Sequence, residues 1–491
     1  MSQDSQIAPP RAVAPPRQRS APPEDALVRV FDSHDAPADP ETLSSLSDGV
    51  RNLDLAAPAV VLPDFHHKRK MEMPSSIAVA TLDTIRPTFT SSSVNCGMAL
   101  MTLDCDTPSQ AAIETFYRAV RERYPFPRRT GPELRPREVM QAAARGAEFA
   151  LERFGGVEED LLGIEEGGRL DLEAYGGAPR LSREVSWLLR ALSTLRFGSV
   201  GPSNHFIELQ RVEEIVDPVR AELLGIREGQ LTIQFHAGGG MLTGLLGRMF
   251  GMRRDYPKPV KAVMAVQKPL AHLASARSLE QLRLRRELYF AGACPPVPRD
   301  SDEGRRIMLA NAASMNYGWA FRLATYGALR SFAQDAFGAR DLRLVVDSPH
   351  NSVYEEQVNG QSAIVHRHNS CRAYPAELMG DHPVFSQTGQ PVLLPGTNRT
   401  SSYLCVAGSA AGDSLNSACH GAGTVIDAFA SAGLSRTDPQ GHTTLKFSYS
   451  DAEPQVVHHL DDRGVNEALG ILARGSLIQP VARMRPMAVL T

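Results

Sequence analysis

His420 lies in the run Asn416-Ser417-Ala418-Cys419-His420-Gly421-Ala422-Gly423, an imidazole among small residues with glycines that permit close approach of a bulky group. A neutral imidazole is both nucleophile and proton carrier, so a histidine in this setting can attack an electrophilic centre such as phosphorus. The same run also suits a tight turn with a core-facing histidine. Four further segments, far apart in the chain, place a His or Cys beside Gly or Asn. Ser93-Val94-Asn95-Cys96-Gly97 sets a thiol next to glycine. Gly201-Pro202-Ser203-Asn204-His205-Phe206-Ile207-Glu208 carries an amide, an imidazole and a carboxylate. Gln234-Phe235-His236-Ala237-Gly238-Gly239-Gly240 closes a strand-like run with a histidine and a glycine loop, and Val345-Val346-Asp347-Ser348-Pro349-His350-Asn351 puts another histidine at a strand end. Cys96, His205, His236 and His350 could together hold one or two divalent transition ions. Thiolate and imidazole favour zinc and other late metals, and manganese needs harder oxygen partners. No CxxC or HxxxH pair compacts these donors, so spacing alone leaves open the reading in which each histidine is structural.

The bulk properties fit a soluble globular protein: 491 residues, 42% hydrophobic, 22% charged, formal net charge −3. The length allows one large domain or two to three average ones. The charge balance excludes a protein coated in basic charge, while local Arg clusters remain at 127–137 and at Gln281 to Arg286, where solvated faces are the plainer reading. Six scattered cysteines without a CxxC pair make no disulfide framework and fit a reducing compartment. No apolar run reaches membrane-spanning length, and the Pro-rich start has no signal-peptide core, so the expectation is a cytoplasmic protein without a membrane partner.

Residues 1 to about 50, rich in Pro, Ser, Asp and Ala, are expected to form a disordered arm, with order beginning near Ala59-Val60-Val61-Leu62-Pro63. Strands are expected there and at Ile77 to Leu82, Leu231 to Phe235, Leu342 to Val346, Ser362 to His366, Val392 to Leu394 and Tyr403 to Ala407. Helical periodicity marks Ser109 to Arg123, Arg137 to Phe154, Ser182 to Leu195 and about Glu303 to Ala336, the last with Gly318 and Gly327 as close-packing points. Strands among helices without a βαβ rhythm predict an α+β fold, a single large mixed-sheet catalytic domain over 51–491 with surrounding helices.

Taken in order, these segments resemble the RtcB family of GTP-dependent RNA ligases over about nine tenths of the chain. The resemblance rests on Leu62-Pro63-Asp64-Phe65-His66, Val94-Asn95-Cys96-Gly97, Gly201 to Glu208 (the family's GxGNHFxE with Ser203 for its second Gly), His350-Asn351, Val365-His366-Arg367, Pro391 to Gly396, Ser402-Tyr403, Cys419-His420-Gly421-Ala422-Gly423 and Arg483 to Val489. It implies that Cys96 bridges two manganese ions, with His205, His236 and His350 as further ligands. It makes His420 the nucleophile that takes GMP from GTP, and Asp64 the carboxylate orienting its ring. It assigns Asn204, Glu208, Thr397 and Ser402 to nucleotide contacts, with His368 where the family has a Lys. The implied substrates are RNA, or DNA, ends: a 3′-phosphate or 2′,3′-cyclic phosphate joined to a 5′-hydroxyl in RNA repair or tRNA processing.

Several positions depart from the family pattern. Ser93 replaces an Asp that ligates the second metal, Thr424 replaces an Arg beside the nucleophile, and Gly240 stands where the loop after His236 offers an Arg. The guanine-stacking Tyr falls at His458 or His459, and the sequence closes on Leu490-Thr491 where the family places a Lys on the nucleotide. Arg399 is a new cation beside the nucleotide loop. Each lost cation removes a charge-assisted bond worth roughly 1.5–3 kcal/mol. The alternative reading is therefore a catalytically impaired paralogue that binds RNA or a partner, or an enzyme that activates 3′-phosphate ends without sealing them. Oligomeric state, and any need for an activating partner, are left open.

Overall fold

Ala59-Val60-Val61-Leu62 and Ile77-Ala78-Val79-Ala80 are apolar at every position, so strands built from them are covered on both faces, and all eight side chains are buried. The computed structural model describes residues 27–67, 73–89, 91, 93–126, 133–201, 204–250, 258–291, 295–451 and 453–491. Within these the fold is α+β, as expected. The smaller sheet runs β1 (Val28–Val30), β2 (Ala59–His66), β3 (Ser75–Thr81), β11 (Gln361–His368), β10 (Asn351–Val358), and its β1–β2 pair is parallel. The larger sheet runs β13 (Pro391–Leu394), β14 (Ser402–Ala407), β18 (Ile478–Leu490), β6 (Phe206–Ile215), β7 (Leu231–Ala237), β5 (Gly97–Asp104), β9 (Arg340–Pro349). Strand β16 (Thr443–Phe447) lies parallel to β18 and carries β17 (Gln455–His458). Two short pairs complete the set, β4 (Thr84–Ile85) with β8 (Val297–Pro298), and β12 (Ser370–Arg372) with β15 (Ser417–Cys419).

The expected strands all form, and three expectations about the elements are corrected. Order begins well before Ala59. Residues 28–50 contribute β1 and the helix Pro40–Val50, capped by the Asp39 carboxylate accepting from the Thr42 amide at 2.8 Å. Its few apolar side chains, Leu46 and Val50 with Leu27, need no core of their own because they pack onto Val61, Ile77 and Val79 of the smaller sheet and onto Phe89 in the turn Pro87–Phe89. The rest of the expected arm, residues 1–26, lies outside the described residues, as do 127–132 of the first Arg cluster, Cys294 and Ser203. The helix expected over Arg137 to Phe154 is two, Pro136–Arg145 and Ala147–Phe154. They break at Gly146, whose φ is +60° and where a β-carbon would lie 2.0 Å from the Gly168 carbonyl oxygen. The helix expected over Ser182 to Leu195 likewise divides into Gly177–Glu184 and Trp187–Ser193, the second capped by Ser186.

The helix Asp302–Phe337, 36 residues and about 54 Å long, is buried around most of its circumference and forms the spine against which the larger sheet and the flanking helices pack. Gly318 is a close-packing point, since a β-carbon there would come 2.7 Å from the Asn95 side chain. Gly327 is not, its nearest neighbour being a carbonyl oxygen at 4.0 Å.

Candidate active site

Antiparallel register brings the four metal-ligand candidates to one end of the larger sheet. Cys96 directly precedes β5, His236 is the penultimate residue of β7, His205 directly precedes β6, and His350 is the single residue between β9 and β10. Gly97 pairs with both Ala237 and Pro349, and Phe206 pairs with His236. Two strand starts and two strand ends therefore coincide. The Cys96 sulfur lies 3.3 Å from His236 Nε2 and 3.5 Å from His205 Nε2, and one donor atom each from Cys96, His236 and His350 fall within 4.8 Å of one another. His236 Nδ1 lies 2.8 Å from the Asn204 carbonyl, which fixes that nitrogen as the N–H and leaves the Nε2 lone pair facing the sulfur. Burial pushes the His205 imidazole down to about 4 and holds His236 well below its ordinary value, helped by neighbouring His205 and His420. Neutral imidazoles around a thiol are the protonation state that a divalent transition ion requires, so these residues fit one.

The Cys96 loop is held from the long helix by Arg322, which the sequence did not single out. Arg322, fully buried on the long helix, donates to the Asn95 carbonyl at 2.6 Å, to Asn95 Oδ1 at 2.7 Å and to Asp347 Oδ1 at 2.7 Å. Asn95 itself has φ +54°. Gly97 must be glycine, because a β-carbon would come 2.7 Å from the Ser348 carbonyl oxygen and 2.8 Å from the Arg322 guanidinium. Asn351 ties three segments: its carbonyl accepts from the Asn95 amide at 2.9 Å, its amide donates to the Ser93 carbonyl at 3.2 Å, and its Oδ1 accepts from the Asn369 amide at 3.0 Å. The one available signal for Arg322 was a cation inside an otherwise apolar stretch of helix.

His420 follows β15 and packs its ring on His350, centroids 4.4 Å apart, and on His236 at 6.3 Å. Its Nδ1 faces the Asp64 carboxylate at 4.0 Å. Asp64 sits in β2 with φ +69° and accepts from the Thr424 amide at 2.7 Å and from the Thr424 hydroxyl. Those bonds fasten it to the first turn of the helix Gly423–Ser431. The histidine, its carboxylate and the four donors thus converge from both sheets.

The remaining candidates lie on surrounding elements. Asn204 is exposed beside His205. Glu208 is buried on β6, accepts from Gln210 at 2.7 Å, and is pushed up to about 8 by burial. Thr397 lies in the turn after β13 and Ser402 opens β14, its Oγ accepting from the Gly396 amide of that turn at 3.1 Å. That turn packs beside His420 through the Ala422 amide on the Pro395 carbonyl at 3.2 Å. His368 is buried at the end of β11, with Nδ1 2.8 Å from the Pro74 carbonyl, one residue from the Asn369 carbonyl that the His420 amide approaches at 3.4 Å.

Geometry also bears on the substituted cations. Gly240 has φ +81° and its β-carbon would meet Phe321 at 2.7 Å and Tyr317 at 2.9 Å, so no arginine fits there. Arg248, two turns further along the helix Gly240–Phe250, instead lines a cavity of about 350 Å³ with Ser93, His205 and Arg196. Arg399 donates to the His458 carbonyl at 3.3 Å. His459 is buried against Thr444 at 2.7 Å and pushed down to about 4 by burial, which leaves it uncharged at neutral pH, whereas His458 is exposed.

Comparison with known proteins gives one family. A family model described as tRNA-splicing ligase RtcB matches residues 49–491. The chain is 31% identical over 371 residues to the tRNA-splicing ligase RtcB of Pyrococcus horikoshii, covering 72% of this chain and 39% of that protein. It is 27% identical over 458 residues to that of Thermococcus kodakarensis, covering 88% and 87%. It is 29% identical over 357 residues to the RNA-splicing ligase RtcB of Mycobacterium tuberculosis, covering 71% and 69%. The chain spans about two fifths of the length of the Pyrococcus relatives, 39% and 37%. No helix among the described residues is long and apolar enough to cross a membrane.

Proposed function

The chain belongs to the RtcB family, and from that premise we propose that it is an RNA ligase, joining a 3′-phosphate or 2′,3′-cyclic phosphate end to a 5′-hydroxyl through a histidine–GMP intermediate, in the RtcB-like form of the α+β fold and in the cytoplasm. The observation that carries this reading is the packing of the His420 ring against His350, centroids 4.4 Å apart and planes tilted by 50°, with its Nδ1 edge toward Asp64 at 4.0 Å. That arrangement sets an imidazole against both a metal-donor cluster and an orienting carboxylate. With Nδ1 turned to Asp64, Nε2 is the nitrogen directed at substrate. Its lone pair attacks the α-phosphorus of GTP, an N–P bond forms, and the bond to the β-phosphate oxygen breaks to release pyrophosphate. Asp64 stabilises the positive charge on the ring. The RNA 3′-phosphate then takes GMP from His420, and the 5′-hydroxyl displaces GMP to close the phosphodiester.

Cys96, His205, His236 and His350 would hold manganese, which when bound neutralises triphosphate charge. Asn204, Glu208, Thr397, Ser402 and His368 are the proposed nucleotide contacts. A second reading, a paralogue that keeps the metal centre and binds RNA without sealing it, draws support from Gly240, where no cation fits, and from the uncharged His459.

The deciding experiment incubates the protein with α-labelled GTP and Mn²⁺ beside His420→Ala. Acid-labile GMP on the wild type and its loss in the variant are expected. Metal-loaded wild type that takes up no label would overturn the ligase reading and leave the second.

A further inference from the structure

Residues 258–291 form a helical appendage: the helix Lys258–Lys268, a π-helical turn Pro269–Leu273, the helix Leu279–Arg286 and a second π-helical turn Glu287–Ala291. Its base is fixed and internally neutralised. Buried His272 lies 2.9 Å from the Met249 carbonyl and 2.8 Å from Arg306, while Arg285 and the Tyr289 hydroxyl each donate to Glu303 at 2.7 Å.

The outer face is different. The segment carries seven Lys and Arg against two Glu in a protein of net charge −3. Lys258, Lys261, Arg277, Arg283 and Arg286 are all exposed, and none makes an ion pair among the described residues. Arg283 and Arg286 share one helical face with Leu279, and Phe290 lies in the π-helical turn that follows directly. Phe290 is 41% exposed and Trp187 is 73% exposed. The Ser186 hydroxyl, donating to Gln267 at 2.5 Å, seats Trp187 beside the first helix of the appendage. Cations with protruding aromatic rings suit a phosphate backbone whose unpaired bases stack on those rings. One helix connects the base of the appendage to the site. The helix Gly240–Phe250 starts three residues after β7, lines the cavity holding His205 with its Arg248, and ends at the Met249 carbonyl that receives His272.

We propose that this appendage docks the body of the RNA strand, the nucleotides that trail behind the 3′-phosphate end. The proposal rests on the RNA-end reading above and adds a surface outside the nucleotide site. A second copy of the chain fits poorly here, because a self-complementary contact would set these cations against themselves.

The test measures binding of 3′-phosphate RNAs about four and about twenty nucleotides long by fluorescence anisotropy across a salt series. It compares full-length wild type, a Lys258→Ala/Lys261→Ala/Arg283→Ala/Arg286→Ala variant and a Trp187→Ala/Phe290→Ala variant. The cation variant should bind the long RNA at least ~10-fold more weakly, with a salt slope lower by about three, and bind the short RNA as wild type does. The aromatic variant should lose affinity for the long RNA with its salt slope unchanged. GMP labelling of His420 should be unaltered in both variants, so a failure of the ligase reading shows as unlabelled wild type and is separate from this result. Wild type that binds both lengths equally, or variants that bind long RNA normally, would overturn the proposal. So would poly-L-glutamate captured by wild type and not by the cation variant while RNA affinity stays the same, which would assign the face to an acidic protein.

Discussion

Glu208 carries its carboxyl inside β6 with the Gln210 amide at 2.7 Å, and burial, partly offset by that bond, pushes it up to about 8 from an ordinary 4.5. The folded protein therefore keeps this carboxyl protonated at neutral pH, where the unfolded chain ionises it. Its contribution to stability is fully present below about 4.5 and is lost as pH rises through about 8. A Glu208→Gln variant, neutral at every pH, should melt with the wild type in mild acid and above it in mild alkali, by an amount on the order of a few kcal/mol. Thermal melts of the metal-free protein across that range check it. A variant less stable than wild type at the alkaline end would show that Glu208 is charged in the fold. At the same scale, the substituted positions divide by cause. Gly240 is glycine because Phe321 and Tyr317 occupy the space of any side chain, whereas Thr424 has acquired a bonding role of its own on Asp64.

At the scale of elements, the long helix Asp302–Phe337 organises the Cys96 loop through Arg322. Replacing this arginine with Met leaves the Asp347 carboxylate, 1% exposed, without its cation, which should destabilise the protein by about 3–5 kcal/mol and loosen metal binding. Arg322→Met/Asp347→Leu should recover much of the stability and little of the metal affinity, because Asn95 still lacks its donor. Urea denaturation beside metal titration reads both, and full recovery of metal affinity in the double variant would refute the positioning role. This element also marks the limit of what was legible beforehand. Cys96, His205, His236, His350 and His420 stood out because Gly and Asn surround them, and the strands that carry them are short apolar runs. Arg322 looked like one more polar residue on a helix, since nothing local announces that a helix is buried all round. The breaks at Gly146 and Ser186 were missed for a related reason: apolar periodicity continues across both, and only the Gly168 carbonyl pressed against Gly146 enforces the first. The order at residues 28–50 depends on apolar partners in β2 and β3, which composition within that stretch does not reveal.

Across the whole molecule, the donor cluster draws on Cys96, His236 and His350, with His205 3.5 Å from the Cys96 sulfur, and His350 is also the hinge where the larger sheet passes into the smaller. An ion held there would cross-link strands β5, β6, β7 and β9 at one end, so its binding free energy adds directly to global stability. At a free concentration of ~100 times Kd that addition is about 2.7 kcal/mol. Saturating Mn²⁺ should therefore raise the melting temperature of the wild type by several degrees, and a chelator should reverse the rise. Cys96→Ala and His350→Ala should each abolish it, having removed members of the cluster. His420→Ala should keep it, because that ring packs against His350 without belonging to the donor cluster. Differential scanning calorimetry with and without metal distinguishes these cases, and a rise that survives Cys96→Ala would place the ion elsewhere and dissolve the link between the two sheets and His420.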